Sequence, residues 1–219
     1  ARLLRLSLPT LGCTLMDPAL RLMDTACVGQ TAGGGALAQA ALVPCTNVLT
    51  FAFAALFAVG QSLTNFFATH PFDPLRAPTM TSPPNLDARN RDLCIGALLS
   101  AFLFTAVVGT LSTVLMLSQT APLLQFVGAS AEILPLAMTY LRICAPALPF
   151  AMLTAVLQGA FLGQQNAMLP LKIILLVAGP INFFGDIELT LRRDMGIAGV
   201  AIATAVAQVS ACSGFVYSL

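Results

Sequence analysis

Charge is missing from most of this chain, and its absence runs in long blocks. No Asp, Glu, Lys or Arg lies in the 48 residues between Asp24 and Asp73, the 39 between Asp92 and Glu132, or the 29 between Arg142 and Lys172. The last 25 residues, after Asp194, are uncharged as well. A helix needs roughly 20 apolar residues to cross a bilayer. Each block supplies that length, and none alternates polar and apolar faces as a soluble helix does. Period-2 alternation is absent too, so helices rather than a barrel satisfy the backbone. Composition agrees: 9% of the 219 residues are charged and 58% are hydrophobic, against about a quarter charged in a soluble domain. That excludes an ordinary soluble enzyme and a disordered tail. A net charge of +1 supplies no basic field, so no nucleic-acid partner is expected.

The chain therefore reads as an all-α membrane protein whose main partner is the lipid bilayer: a six-transmembrane-helix bundle. The helices are expected at about 5–28, 36–67, 93–117, 133–162, 167–189 and 196–217. Residues 68–92 hold five prolines and six charges and read as a polar, Pro-rich loop. A short interfacial helix is expected at Pro122 to Val127, and an interruption near Pro146 and Pro149. The six cysteines stand singly, as small apolar residues inside helices do. His70 is the one histidine and sits in the loop, so no structural metal site and no cofactor are expected. The chain opens on Ala-Arg-Leu-Leu-Arg without methionine and is expected to begin part-way into a longer protein. Arg2, Arg5, Arg76, Arg89, Arg91 and Lys172 fall on one side of six crossings. Arg192 and Arg193 fall on the other, with Arg142 nearby. That bias makes both termini of the chain cytoplasmic.

Polar residues inside the spans carry the information, because each charge costs a few kcal/mol at the bilayer centre. Asp17, Arg21 and Asp24 are spaced four and three apart, on one face of the first helix. Asp17 and Arg21 can form an ion pair, which leaves Asp24 uncompensated. Asn182 and Asp186 share a face of the fifth helix. Two carboxyl groups in an apolar interior suit a cation or a proton, because burial and a like-charged neighbour both disfavour the ionised form. No nucleophile and base are paired, so the chain is not expected to be an enzyme. Pro9 permits a bend in the first helix. The run Gly196-Ile-Ala-Gly-Val-Ala-Ile-Ala-Thr-Ala predicts close helix packing.

Three ordered blocks resemble the multidrug and toxic compound extrusion (MATE) transporters, with the first block most similar to the DinF-like branch. They are Leu8-Pro-Thr-Leu-Gly12 with Met16-Asp-Pro-Ala-Leu20 and Leu22-Met-Asp-Thr-Ala-Cys-Val-Gly29; Tyr140-Leu-Arg-Ile143 with Ala147-Leu-Pro149 and Gln158-Gly-Ala-Phe-Leu-Gly163; and Gly179-Pro-Ile-Asn-Phe-Phe-Gly-Asp186 with Gly196 to Thr204. The resemblance implies a secondary active antiporter that exports organic, often cationic, solutes or xenobiotics against H+ or Na+ entry. It implies that this chain is the N-terminal lobe of a twelve-helix fold, lacking its C-terminal lobe. It maps a cation- or proton-coupling site onto Asp24, Asn182 and Asp186, with Tyr140 and Thr204 as neighbours, and the helix-1 bend onto Pro9. Gly179-Pro180 departs from the family's Gly-Asn and removes one amide. Two alternatives stay open: a flippase for lipid-linked substrates, which needs a cationic cleft, and a non-transporting half-protein. A plasma membrane and a plastid envelope both fit.

Overall fold

A computed structural model describes residues 2–31, 35–69 and 84–218, and among these every regular element is helical. The path runs through α1 (Arg2–Gly29), α2 (Gly35–Thr69), α3 (Pro84–Ser118), α4 (Thr120–Phe126), α5 (Leu134–Cys144), α6 (Leu148–Gly163), α7 (Met168–Ile173), α8 (Gly179–Gly185) and α9 (Ile197–Tyr217). A 3-10 turn, Ala145–Ala147, joins α5 to α6. Two π-helical segments, Ile174–Ala178 and Asp186–Arg192, follow α7 and α8. Five stretches are long and apolar enough to cross a membrane: Gly35–Ala54, Asp92–Ser118, Leu134–Gly163, Met168–Arg192 and Ile197–Tyr217. The sixth rod, α1, has 28 residues, about 42 Å at 1.5 Å per residue. It carries Arg2, Arg5, Asp17, Arg21 and Asp24 and stands outside that apolar set. The protein is an all-α, multi-pass membrane bundle.

Several boundaries differ from the pattern in the sequence. Most of the Pro-rich loop, residues 70–83 with His70, lies outside the described residues. Its last part, 84–92, is instead the start of α3, with Pro84 as first residue. Proline is tolerated there because the first helical N–H groups have no partner in any case. The short connecting helix starts two residues before Pro122, at Thr120. The fourth span is interrupted where Pro146 and Pro149 predict, by the 3-10 turn, whereas the fifth is broken by π geometry that the sequence pattern does not predict.

Proline explains the fourth-span break. Pro149 has no N–H, so it cannot donate to the Ala145 carbonyl. That carbonyl accepts instead from the Leu148 N–H, which closes the 3-10 turn, and from the Thr113 hydroxyl of α3 at 3.0 Å. The tighter turn and a neighbouring helix together satisfy the carbonyl that proline leaves.

Packing follows membrane logic, in which small residues let backbones close up. α6 is the hub, packed on α2, α3 and α9. A Cβ added at Gly159 would lie 2.6 Å from the Gly60 carbonyl oxygen, and one at Gly163 would lie 2.6 Å from that of Thr64. Thr64 donates its hydroxyl across the same seam to the Gly159 carbonyl at 2.9 Å. The largest apolar core joins α2, α5, α6 and α9 through Cys45, Val48, Leu141, Met152 and Val200. Leu99, Leu103, Val107, Leu111 and Val114 stand exposed along one stripe of α3. In water this would be an aggregation-prone patch; in a bilayer it is the lipid-facing side.

Candidate functional site: a buried carboxylate pair bridged by an amide

Asp24 lies near the end of α1. Along this helix Cys13, Asp24, Cys27 and Val28 are buried, whereas Asp17, Arg21 and Thr25 are exposed. By spacing, Asp17 and Asp24 point in nearly the same direction. The neighbouring helices cover that direction at Asp24 and leave it open at Asp17. The Asp17–Arg21 ion pair suggested by spacing is not formed: among the described residues the ion pairs join Glu188 to Arg192 and to Arg193. Arg21 instead lies within electrostatic reach of both Asp17 and Asp24. Pro9 is buried within α1, and Pro18 lies further on inside the same continuous helix.

The fifth span presents its polar residues through irregular geometry. Pro180 cannot donate to the Leu176 carbonyl, and the first π segment, Ile174–Ala178, covers that position. The departure Gly179-Pro180 is therefore built into the rod. Seven residues of α8 follow, then the second π segment opens at Asp186. π turns are rare and concentrate at functional sites. At Gly185 an added Cβ would lie 2.8 Å from the Ala203 Cβ. That close approach of α8 and α9 brings Thr204 alongside the acidic residues.

The result is one buried polar cluster. Asn182 donates from Nδ2 to Asp24 Oδ1 at 2.7 Å and to Asp186 Oδ2 at 3.2 Å. A primary amide has two N–H donors, one for each carboxyl. Asp24 is 8% exposed, Asn182 3% and Asp186 0%. The two carboxyl groups face each other, with the Thr204 side chain beside Asp24. Tyr140, buried on α5, lies within electrostatic reach of Asp24 and Cys144. Arg142 is exposed, on the opposite side of α5 from Tyr140. Asp186 Oδ1, Thr190 Oγ1 and Thr204 Oγ1 are buried without a hydrogen-bond partner, as is Thr105 Oγ1 elsewhere in α3.

Buried polar atoms without partners are uncommon and call for an explanation. Here Asp186 Oδ1, beside the Asp24 carboxyl, lacks a donor, an arrangement suited to a shared proton or a small hard cation. Among the described residues no group of three or more His, Cys, Asp or Glu is gathered in metal-binding geometry. Sequence reasoning did not single out Thr190 or Cys27. Thr190 stands four residues beyond Asp186, the same spacing that links Asn182 to Asp186. Cys27 lies close enough to feel both carboxyl charges, which only the fold reveals.

Comparison with known proteins assigns the class. The MatE family model matches residues 77–187, just over half of the chain. Protein DETOXIFICATION 47, chloroplastic, of Arabidopsis thaliana is 30% identical over 204 residues, covering 92% of this chain and 34% of that protein. A crystal structure of MATE in the bent conformation superposes with a TM-score of 0.77 at 19% identity, covering 100% of this chain and 44% of that one. The outward-facing conformation of a multidrug resistance MATE family transporter gives 0.74 at 20% identity, covering 99% and 44%. The chain belongs to the MATE family. It spans about a third of the length of the curated relative and under half that of the solved transporters it matches.

Proposed function

We propose that this chain is the N-terminal lobe of a secondary active antiporter that exports an organic solute, with H+ or Na+ entering in exchange. The observation that carries the reading is the Asn182 amide bridging Asp24 and Asp186 inside the bundle. A carboxyl pair in a bilayer is costly, and a coupling ion is the function that repays retaining one. Occupied by H+ or Na+, the cluster sheds one of its two negative charges and is compact; vacated, its two carboxylates repel. An ion that interacts so differently with two arrangements of the lobe can shift their populations. Pro9 in α1 supplies the bend through which the change passes, and Tyr140 and Thr204 flank the ion. The solute is bound between this lobe and a C-terminal lobe of the same protein. No resident cofactor is required.

Both ends of this chain face the cytoplasm or its organellar equivalent, by the Lys and Arg distribution. The family relative with a chloroplastic name favours a plastid envelope as the location. In proteoliposomes holding the full-length protein, export driven by an H+ or Na+ gradient should fall to background in Asp24→Asn and in Asp186→Asn. Undiminished export in both variants would overturn the reading.

A further inference from the structure

Beside the buried pair, α1 carries a further acid and a cation on its open side. Asp17 and Arg21 stand near the middle of this 28-residue helix, and both are exposed. Thr14 and Thr25, also exposed, spend their hydroxyls on carbonyls of their own helix. The open stripe of α3 differs: Leu99, Leu103, Val107, Leu111 and Val114 are all apolar. Ionic groups at mid-span are costly against acyl chains, so this side of α1 suits water rather than lipid.

Arg21 stands between two acids. Asp17 lies four residues before it and Asp24 three residues after, spacings at which helical side chains meet. Arg21 is within electrostatic reach of both and paired with neither, since the ion pairs among the described residues are those of Glu188. The other groups facing Asp24 carry no positive charge: Asp186, Asn182, Thr204, Tyr140, Cys144 and Cys27. Asp17 is met by Arg21 and Cys13. One cation thus serves two carboxyl groups, of which only Asp24 belongs to the pair that can take up an ion. Long helical side chains lean back toward the N-terminus, and an acid four residues before a base is the favoured order. Both preferences send Arg21 to Asp17 unless charge on Asp24 draws it onward.

We propose that Arg21 is a positioning residue that reports the charge of the buried pair to the open side of α1. With the pair empty, Arg21 is drawn to Asp24 and leaves the Asp17 carboxylate free to bind an organic cation. With H+ or Na+ on the pair, Arg21 turns to Asp17 and displaces that cation. The proposal rests on the coupling role given to Asp24 and Asp186 above. It supplies a rule that antiport needs: the entering ion and the leaving solute are not held together, because each is favoured by the opposite placement of one guanidinium.

The test measures binding of tetraphenylphosphonium, a permanent organic cation, to the full-length protein in nanodiscs with no gradient applied. Asp24→Asn keeps the shape of the cluster and removes the charge that draws Arg21. It should weaken binding about fivefold, the scale of two unit charges in contact in water. Adding Arg21→Gln should restore wild-type affinity, whereas adding Arg21→Lys should not. Asp17→Asn should abolish binding in every background. Wild-type affinity in Asp24→Asn overturns the proposal, as does a double variant with Gln that stays weak, or a wild-type protein that does not bind the cation. H+ and Na+ are also titrated separately on the wild type, and one of them should reproduce the weakening. If neither does while the Gln rescue holds, the Arg21 device stands and the antiport reading fails. If export stays ion-coupled while the rescue fails, the antiport reading stands and the Arg21 device falls. Should Asp24→Asn not fold, Arg21→Gln alone decides: its binding should lose the response to H+ or Na+, and a retained response overturns the proposal.

Discussion

Asn182 and Asp24 are 158 positions apart in sequence, yet the Asn182 Nδ2 lies 2.7 Å from Asp24 Oδ1. With its second N–H the same amide reaches Asp186. One neutral side chain therefore holds two buried acids together across α1 and α8.

Replacing Asn182 by leucine removes both donors and leaves the carboxyl groups facing each other in an apolar interior. Stranding buried acceptors costs about 1–3 kcal/mol. The variant should show a lower thermal unfolding midpoint in detergent and lose gradient-driven export. An unchanged midpoint would mean that the amide does not hold the cluster.

Gly159, in the α2–α6 seam, and Gly96, on α3, should respond in opposite ways. Gly159→Ala drives a methyl to 2.6 Å from the Gly60 carbonyl oxygen, and neither backbone can yield cheaply. Overpacking of this kind costs about 1–3 kcal/mol, seen as reduced folded yield and a lower midpoint. Gly96→Ala meets nothing within 4 Å. It should be neutral, or stabilising by up to about 1 kcal/mol through helix propensity.

Thr113 and Pro149 should be coupled. Thr113→Val takes the 3.0 Å donor from the Ala145 carbonyl, at a cost of about 0.5–1.5 kcal/mol. In a Pro149→Ala background a backbone N–H can take its place, so the penalty should shrink. A double-mutant cycle on unfolding free energies measures this coupling; strict additivity would refute the account of the fourth-span break.

The Glu188 pairs with Arg192 and Arg193, at 3.2 and 3.5 Å, are solvent-exposed. Glu188→Gln should change stability by less than about 1 kcal/mol. Whatever effect remains should fade as salt is raised. A larger loss, insensitive to salt, would show that the pairs brace the π segment rather than decorate its end.

Some of the cluster was legible without the fold. Asp24, Asn182 and Asp186 stand out because charged and amide groups are rare inside apolar runs. Tyr140 and Thr204 are ordinary residues within a span, and only family resemblance singled them out. Spacing misled at Asp17 and Arg21: helical periodicity fixes direction around α1, but not whether a neighbour covers that direction. Thr190 stayed unnoticed because its hydroxyl looks like many others until a π register deprives it of its usual acceptor.

By itself, the sequence determined the class and most of the rods. Uncharged runs of membrane-spanning length allow no other backbone solution, since every N–H and C=O within a bilayer must be satisfied along its own helix. Tertiary structure decided the rest. It chose which flank of α1 is covered and opened the fifth span into π turns. It also set one amide between two acids from opposite ends of the chain. Those outcomes depend on which backbones approach, at Gly159, Gly163, Gly185 and Gly199, and such meetings are encoded in no local pattern.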